Sequence, residues 1–183
     1  MAAQSQVCNF GWKAADFDLP GVDGRRHTTA SARGPNGLLV MFICNHCPYV
    51  KAIRARIVRD CRELAAYGIG SIAIMSNDPS EYPEDSFENM KRVATESGFT
   101  FPYVLDESQG VARAYDAVCT PEFFGFDADL ALQYHGRLDA SKTAPVEGAR
   151  RELFDAMVQI ARTGKGPTEQ TAAIGCSIKW KHA

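Results

Sequence analysis

The chain has 183 residues, enough to bury a hydrophobic core in one domain without disulfides or metals to brace it. A hydrophobic content of 45% and a charged content of 23% are those of an ordinary globular chain, which excludes a disordered or fibrous polymer. A formal net charge of −2 lacks the electrostatic footprint of a nucleic-acid or anionic-membrane binder.

In chain order, "MAAQSQVCNFGWKAADF" lacks the basic flank and apolar stretch of a secretory signal. No apolar run reaches bilayer length, so a cytoplasmic protein without membrane attachment is expected. "LPGVDG" and "RGPNG" read as turns. "GLLVMFI" (37–43) is a continuous apolar run, which predicts a central strand buried on both faces. From Pro48 the period changes. Val50, Ile53, Ile57, Cys61 and Leu64 recur at three and four, with Lys51, Arg54, Arg59 and Arg62 between them, an amphipathic helix stopped near Gly68.

"SIAIM" (71–75) predicts a second buried strand. "PEDSFENMKRVATESG" (83–98) predicts a second helix with Phe87, Met90, Val93 and Ala94 on one face. "YVLD" reads as a strand, "SQGVARAYDAV" as a short helix, and "EFFGFD" with "ALQYHGRLD" as a hairpin around "DADL". A last helix is expected over "VEGARRELFDAMVQIARTG" (146–164). Alternating strands and helices followed by a hairpin and a closing helix predict an α/β sandwich with a mostly parallel sheet. The tail "PTEQTAAIGCSIKWKHA" has no clear period. Its apolar strip and tryptophan predict that the segment from about residue 165 docks on a single domain spanning 1–183.

The chemistry concentrates in "FICNHCPYVKAI" (42–53). Cys8, Cys44, Cys47, Cys61, Cys119 and Cys176 are too scattered for a secreted disulfide framework. In a reducing compartment, a C-x-x-C pair such as Cys44 and Cys47 is more often redox-active or metal-bound than structural. Cys44 follows a strand end and Cys47–Pro48 opens a helix, where unpaired N–H groups and the helix dipole favour a thiolate. His46 and Lys51 would add to that effect, and Cys44 is expected to be the exposed, low-pKa thiol with Cys47 behind it. A zinc site would need two more ligands from Cys119, Cys176, His46 and His135, and no second pair at metal-ligand spacing is present, so no metal or other cofactor is expected. Cys61, on the helix stripe, and Cys8 read as structural, and His27, His135 and His182 as surface or satisfied histidines.

"CNHCPYVKA" after an apolar strand, then "CTPEFFGFD", then "GCSIKW" resemble the peroxiredoxin-like branch of the alkyl hydroperoxide reductase/thiol-specific antioxidant (AhpC/TSA) superfamily, over nearly the whole chain. The resemblance implies a thioredoxin-like three-layer α/β sandwich with a mixed central sheet. It implies Cys44 as nucleophile, Cys47 as resolving thiol, Pro121 as a cis-proline facing them, and Thr120 as a substrate-binding residue. Cys119 and Cys176 are possible accessory thiols, Cys176 being either buried filler or a third redox partner. The implied function is thiol–disulfide exchange on a disulfide-containing protein or small thiol substrate, served by a thioredoxin- or glutathione-type reductant. The alternatives are a thiol-dependent peroxidase with antioxidant activity and a non-enzymatic redox sensor. The chain departs from thioredoxins in having Ile43 in place of tryptophan and Asn45–His46 in place of Gly-Pro. The peroxidase pattern Pro-x-x-x-Thr-x-x-Cys finds Val40 and Cys44 when set on Cys47, and Gly37 and Met41 when set on Cys44, so peroxide turnover is expected to be slow.

Overall fold

The computed structural model describes residues 1–182. Its elements run β1 (Ala2–Gln4), β2 (Asp18–Pro20), β3 (Arg26–Thr28), α1 (Thr29–Ala32), β4 (Gly37–Phe42), α2 (Pro48–Ala65), β5 (Ile69–Met75) and α3 (Phe87–Glu96). They continue with β6 (Tyr103–Leu105), α4 (Gly110–Ala114), β7 (Cys119–Thr120), β8 (Glu122–Phe126), β9 (Leu132–Gly136), α5 (Glu152–Thr163) and β10 (Ile174–Ser177).

Five strands form the central sheet in the order β6-β5-β4-β8-β9. β4 pairs parallel to β5 and antiparallel to β8, which makes it the middle strand. The apolar run demanded this position, because its alternate side chains enter two separate cores. Leu39 and Met41 pack with the stripe of α2 and with Leu153, Met157 and Ile160 of α5. Leu38, Val40 and Phe42 pack on the other face with Ala112, Tyr115, Phe124 and Ile178. Each fully buried aliphatic side chain contributes about 1.5–3 kcal/mol, so a polar group on β4 would weaken either layer.

Three expectations are corrected. The sheet is mixed, as the resemblance implied, rather than mostly parallel as the alternation of elements predicted, because the β8–β9 hairpin joins it antiparallel on the far side of β4. The last helix begins at Glu152, not at 146, since Gly148 takes a positive φ of 67° and Arg151 is non-helical. The helix foreseen from residue 83 is divided. Pro83–Asp85 form a 3₁₀ turn, and Ser86 then caps α3 by accepting from Asn89 N at 3.3 Å. That division buries Asp85 completely.

The tail without a period is a strand. β10 lies between β1 and β7 in a separate antiparallel sheet, with Cys176 opposite Thr120 and Ser177 opposite Cys119. No helix among the described residues is long and apolar enough to cross a membrane.

Candidate active site

β4 delivers the chain to the site. The last sheet bond on this side is Ile43 N to Ile74 O at 3.1 Å, after which the backbone turns through Cys44–Asn45–His46–Cys47 into α2. Cys47 is the N-cap residue of α2 and Pro48 its first residue, where the missing proline N–H costs no helical bond.

One buried carboxylate holds this turn. Asp85 Oδ1 accepts from Asn45 N at 2.8 Å and His46 N at 3.2 Å, and Oδ2 lies 2.8 Å from Asn77 Nδ2 and 2.6 Å from His46 Nδ1. Asn45 is fixed again by donating to Glu84 O at 2.9 Å and by accepting from the Tyr103 hydroxyl at 2.9 Å. The His46 ring stacks on Tyr82, with centroids 4.7 Å apart. His46 is therefore committed to Asp85, and among the described residues it makes no hydrogen bond to a sulfur. Sequence reasoning missed Asp85 altogether. Its signal was "PED", where the helical pattern hid an acidic residue in a short turn that points inward.

The opposite wall is β7. The Thr120–Pro121 peptide bond is cis, as the resemblance implied. Thr120 Oγ1 lies 3.3 Å from Cys44 Sγ, and Thr120 O lies 3.2 Å from Cys47 Sγ, where it accepts from the thiol when that is protonated. Cys176 Sγ approaches Cys47 Sγ to 2.9 Å. Cys44, Cys47, Thr120, Pro121 and Cys176 thus gather in one place. Cys119 turns aside: its sulfur lies 3.8 Å from Glu122 Oε2, and that carboxylate also accepts from Val118 N and Cys119 N and contacts His135 Nε2 at 2.7 Å. His135 is accordingly satisfied by Glu122.

The expected exposed Cys44 thiol is corrected by the structure. Cys44 is 1% exposed and Cys47 0%, because β10 closes over the site. The shifts of the two thiols run in directions opposed to the expected order. Cys44 is held well above the usual thiol range because it donates its hydrogen bond to Cys47, because it is buried, and because Asp85 adds negative charge nearby. Cys47 falls to about 5, chiefly through that hydrogen bond from Cys44, with further donation from Cys176 and from the backbone N–H groups of Val50 and Cys176 against the cost of burial. The helix N-terminus thus favours the thiolate form of the cysteine that caps it. Burial and the Cys47 hydrogen bond push Cys176 up to about 12, and burial with the Glu122 charge pushes Cys119 higher still.

Cys44, His46 and Asp85 could each offer one ligand atom, all within 4.8 Å of one another. The Asp85 oxygens already accept three N–H groups, so the carboxylate serves the backbone before any cation.

A dithiol at the strand-to-helix turn after β4, beside a cis-proline that leads into the neighbouring strand β8 of a mixed five-stranded sheet, defines a thiol-redox protein of thioredoxin fold. The AhpC/TSA family model matches residues 10–135, and the chain belongs to that family. An uncharacterized conserved protein from Geobacillus kaustophilus is 42% identical, with a TM-score of 0.94 over 100% of this chain and 98% of that one. A hypothetical protein from Sinorhizobium meliloti 1021 is 37% identical, with a TM-score of 0.91 over 98% and 99%. The fold alone is shared with a thiol:disulfide interchange protein from Chlorobium tepidum TLS, at 20% identity and a TM-score of 0.62 over 87% and 99%. No curated protein sequence matches the chain.

Proposed function

We propose that this protein is a thiol–disulfide oxidoreductase whose working couple is Cys44 and Cys47, with Cys47 as the attacking thiolate. The observation that carries this reading is the place of Cys47 at the N-terminus of α2, with Thr120 flanking both sulfurs and Cys176 Sγ 2.9 Å away, where the hydrogen bonds from Cys44 and Cys176 pull its pKa downward. A thiol lowered in this way favours the anion at neutral pH, whereas an unperturbed thiol near 8.5 is mostly protonated.

Cys47 S⁻ attacks one sulfur of a small disulfide RS–SR, forming Cys47–S–S–R and releasing RS⁻. The Cys44 proton passes to that leaving thiolate. Cys44 S⁻ then attacks Cys47 Sγ, expels the second RS⁻, and leaves the Cys44–Cys47 disulfide. Two electrons have moved from the pair to the substrate, and no cofactor takes part. Thr120 flanks both sulfurs and so positions the pair for closure. Pro121, next to it, fixes the course of that strand. A thioredoxin- or glutathione-type thiol of the cytoplasm would restore the pair.

The burial of both sulfurs supports a second reading, a thiol-dependent peroxidase, since a peroxide is small enough to enter where a protein disulfide is not. In that reading Cys47 is oxidised to the sulfenic acid and Cys44 condenses with it, losing water. Set on Cys47, the peroxidase pattern has the Cys44 thiol where the family's threonine hydroxyl stands, which weakens polarisation of the peroxide. Comparing steady-state reduction of a small disulfide with consumption of hydrogen peroxide at equal concentrations decides between them. Faster disulfide turnover is expected, and faster peroxide turnover that depends on Cys47 would reverse the order.

A further inference from the structure

A redox pair that is 0–1% exposed cannot by itself exchange with a protein partner. The tail that buries it carries a third thiol. Cys176 sits opposite Thr120 in the β10–β7 pairing and places its sulfur 2.9 Å from Cys47 Sγ, while remaining partly open to solvent. The approach of this strand is built in. A Cβ on Gly175 would lie 2.0 Å from Thr120 O, so any other residue would push β10 off the site. The tail is tied on both sides of the cysteine. Ser5 N donates to Ala173 O and Ala173 N donates to Ser5 Oγ, both at 2.9 Å. Ile178 enters the second core, and Lys179 N donates to Asn77 Oδ1 at 2.9 Å. Asn77 also contacts Asp85, so the same residue steadies the tail and the turn between the paired cysteines.

We propose that Cys176 is a third redox thiol, and that the Cys47–Cys176 disulfide is the outward-facing oxidised state through which the buried pair is re-reduced. The proposal rests on the Cys44/Cys47 reading. Starting from the Cys44–Cys47 disulfide, Cys176 gives up its proton and attacks Cys47 Sγ. The Cys47–Cys176 bond forms, the Cys44–Cys47 bond breaks, and Cys44 leaves as a thiolate that takes up the proton beside the Thr120 hydroxyl. The protein keeps one disulfide throughout, with Cys44 reduced to the thiol as Cys176 enters the bond, and no outside oxidant is consumed. An external dithiol then attacks Cys176, the sulfur that solvent can reach, and returns the site to three thiols. While Cys47 is an anion its hydrogen bond keeps Cys176 protonated, so Cys176 is idle in the reduced protein and is released only once the pair has been oxidised.

The test is disulfide mapping of the full chain after mild oxidation with diamide, alkylation and tryptic digestion. Cys44 and Cys47 fall in one tryptic peptide, 34–51, and Cys176 in another, 166–179, so a bridge between them is unambiguous. In Cys44→Ser the expected product is the 34–51 to 166–179 bridge, lost in the double variant Cys44→Ser/Cys176→Ser. In Cys176→Ser the Cys44–Cys47 bond is expected to form but to resist reduction by an external protein dithiol. Free thiols throughout oxidised Cys44→Ser, or unchanged reduction of Cys176→Ser, would overturn the third-thiol proposal and leave the pair intact. Failure of the wild type to form Cys44–Cys47 under the same oxidation would overturn the pair reading instead.

Discussion

Two buried cysteines on the same helix behave in opposite ways. Cys47 caps the N-terminus of α2 at 0% exposure and is lowered to about 5. Cys61 lies in the body of that helix at 4% exposure and is pushed up to about 12 by its burial, with Asp60 adding to the rise and Ser71 opposing it. Burial alone therefore makes an inert thiol. Reactivity comes from what points at the sulfur: the helical N–H of Val50, the strand N–H of Cys176 and two neighbouring S–H groups at Cys47, against Met41 Sδ at 3.8 Å and closed helical backbone at Cys61. One helix supplies both a reaction centre and a core residue, and position along it decides which.

The largest expected effect breaks that contrast outright. Cys47→Ser should abolish disulfide turnover, while Cys61→Ala should leave turnover intact and cost about 1 kcal/mol of stability. Steady-state assays and urea denaturation of the two variants check this, and an inactive but folded Cys61→Ala protein would contradict it.

The support of the turn comes next. Asp85→Asn keeps an acceptor for Asn45 N and His46 N but turns a donor toward Asn77 and His46, leaving at least one buried group unpaired at about 1–3 kcal/mol. It also removes a charge that holds the proton on Cys44, so Cys44 should ionise more readily. Denaturation midpoints and thiol titration of the variant would show both shifts.

The same two cysteines give stability slopes of opposite sign. Cys47 is lowered on folding from 9.0 to about 5, so the unfolded chain binds more protons between these values. Its contribution is complete above pH 9, declines as pH falls toward 5, and is gone below that. Cys61 is raised from 9.0 to about 12, so its contribution is lost as pH climbs from 9 to 12. Denaturation across this range should give a rise between pH 5 and 9 that disappears in Cys47→Ser.

The smallest effect concerns His46. His46→Ala loses the 2.6 Å contact with Asp85 and the stack on Tyr82 but no contact to sulfur, so stability should fall by about 1 kcal/mol with little change in Cys47 ionisation. A Cys47 midpoint displaced as far as in a donor-deleting variant would give His46 the tuning role that the sequence suggested.

The contrast also marks what could be read without coordinates. The continuous run at 37–43 and the three-four stripe of α2 follow from periodicity alone, because burial on two faces or on one leaves different patterns. The C-x-x-C turn was legible as a strand-to-helix site for the same reason. Which cysteine becomes the anion was not, because it depends on Val50 N–H, on Cys176 from the far end of the chain, and on Asp85 from a turn hidden inside a helical pattern. The strand at Ile174–Ser177 escaped because it is held by its neighbours β1 and β7 rather than by any alternation of its own.

The proposed function turns on Cys47, rather than Cys44, being the thiolate. Both sulfurs are enclosed, so the direct measurement is the pH titration of thiolate ultraviolet absorbance in the reduced wild type, Cys44→Ser and Cys47→Ser, which needs no reagent to enter the site. A midpoint near 5 in the wild type should disappear in Cys47→Ser and survive, shifted, in Cys44→Ser, where a serine hydroxyl still donates to Cys47. A low midpoint that persists in Cys47→Ser and vanishes in Cys44→Ser would contradict the assignment and return the nucleophile to Cys44.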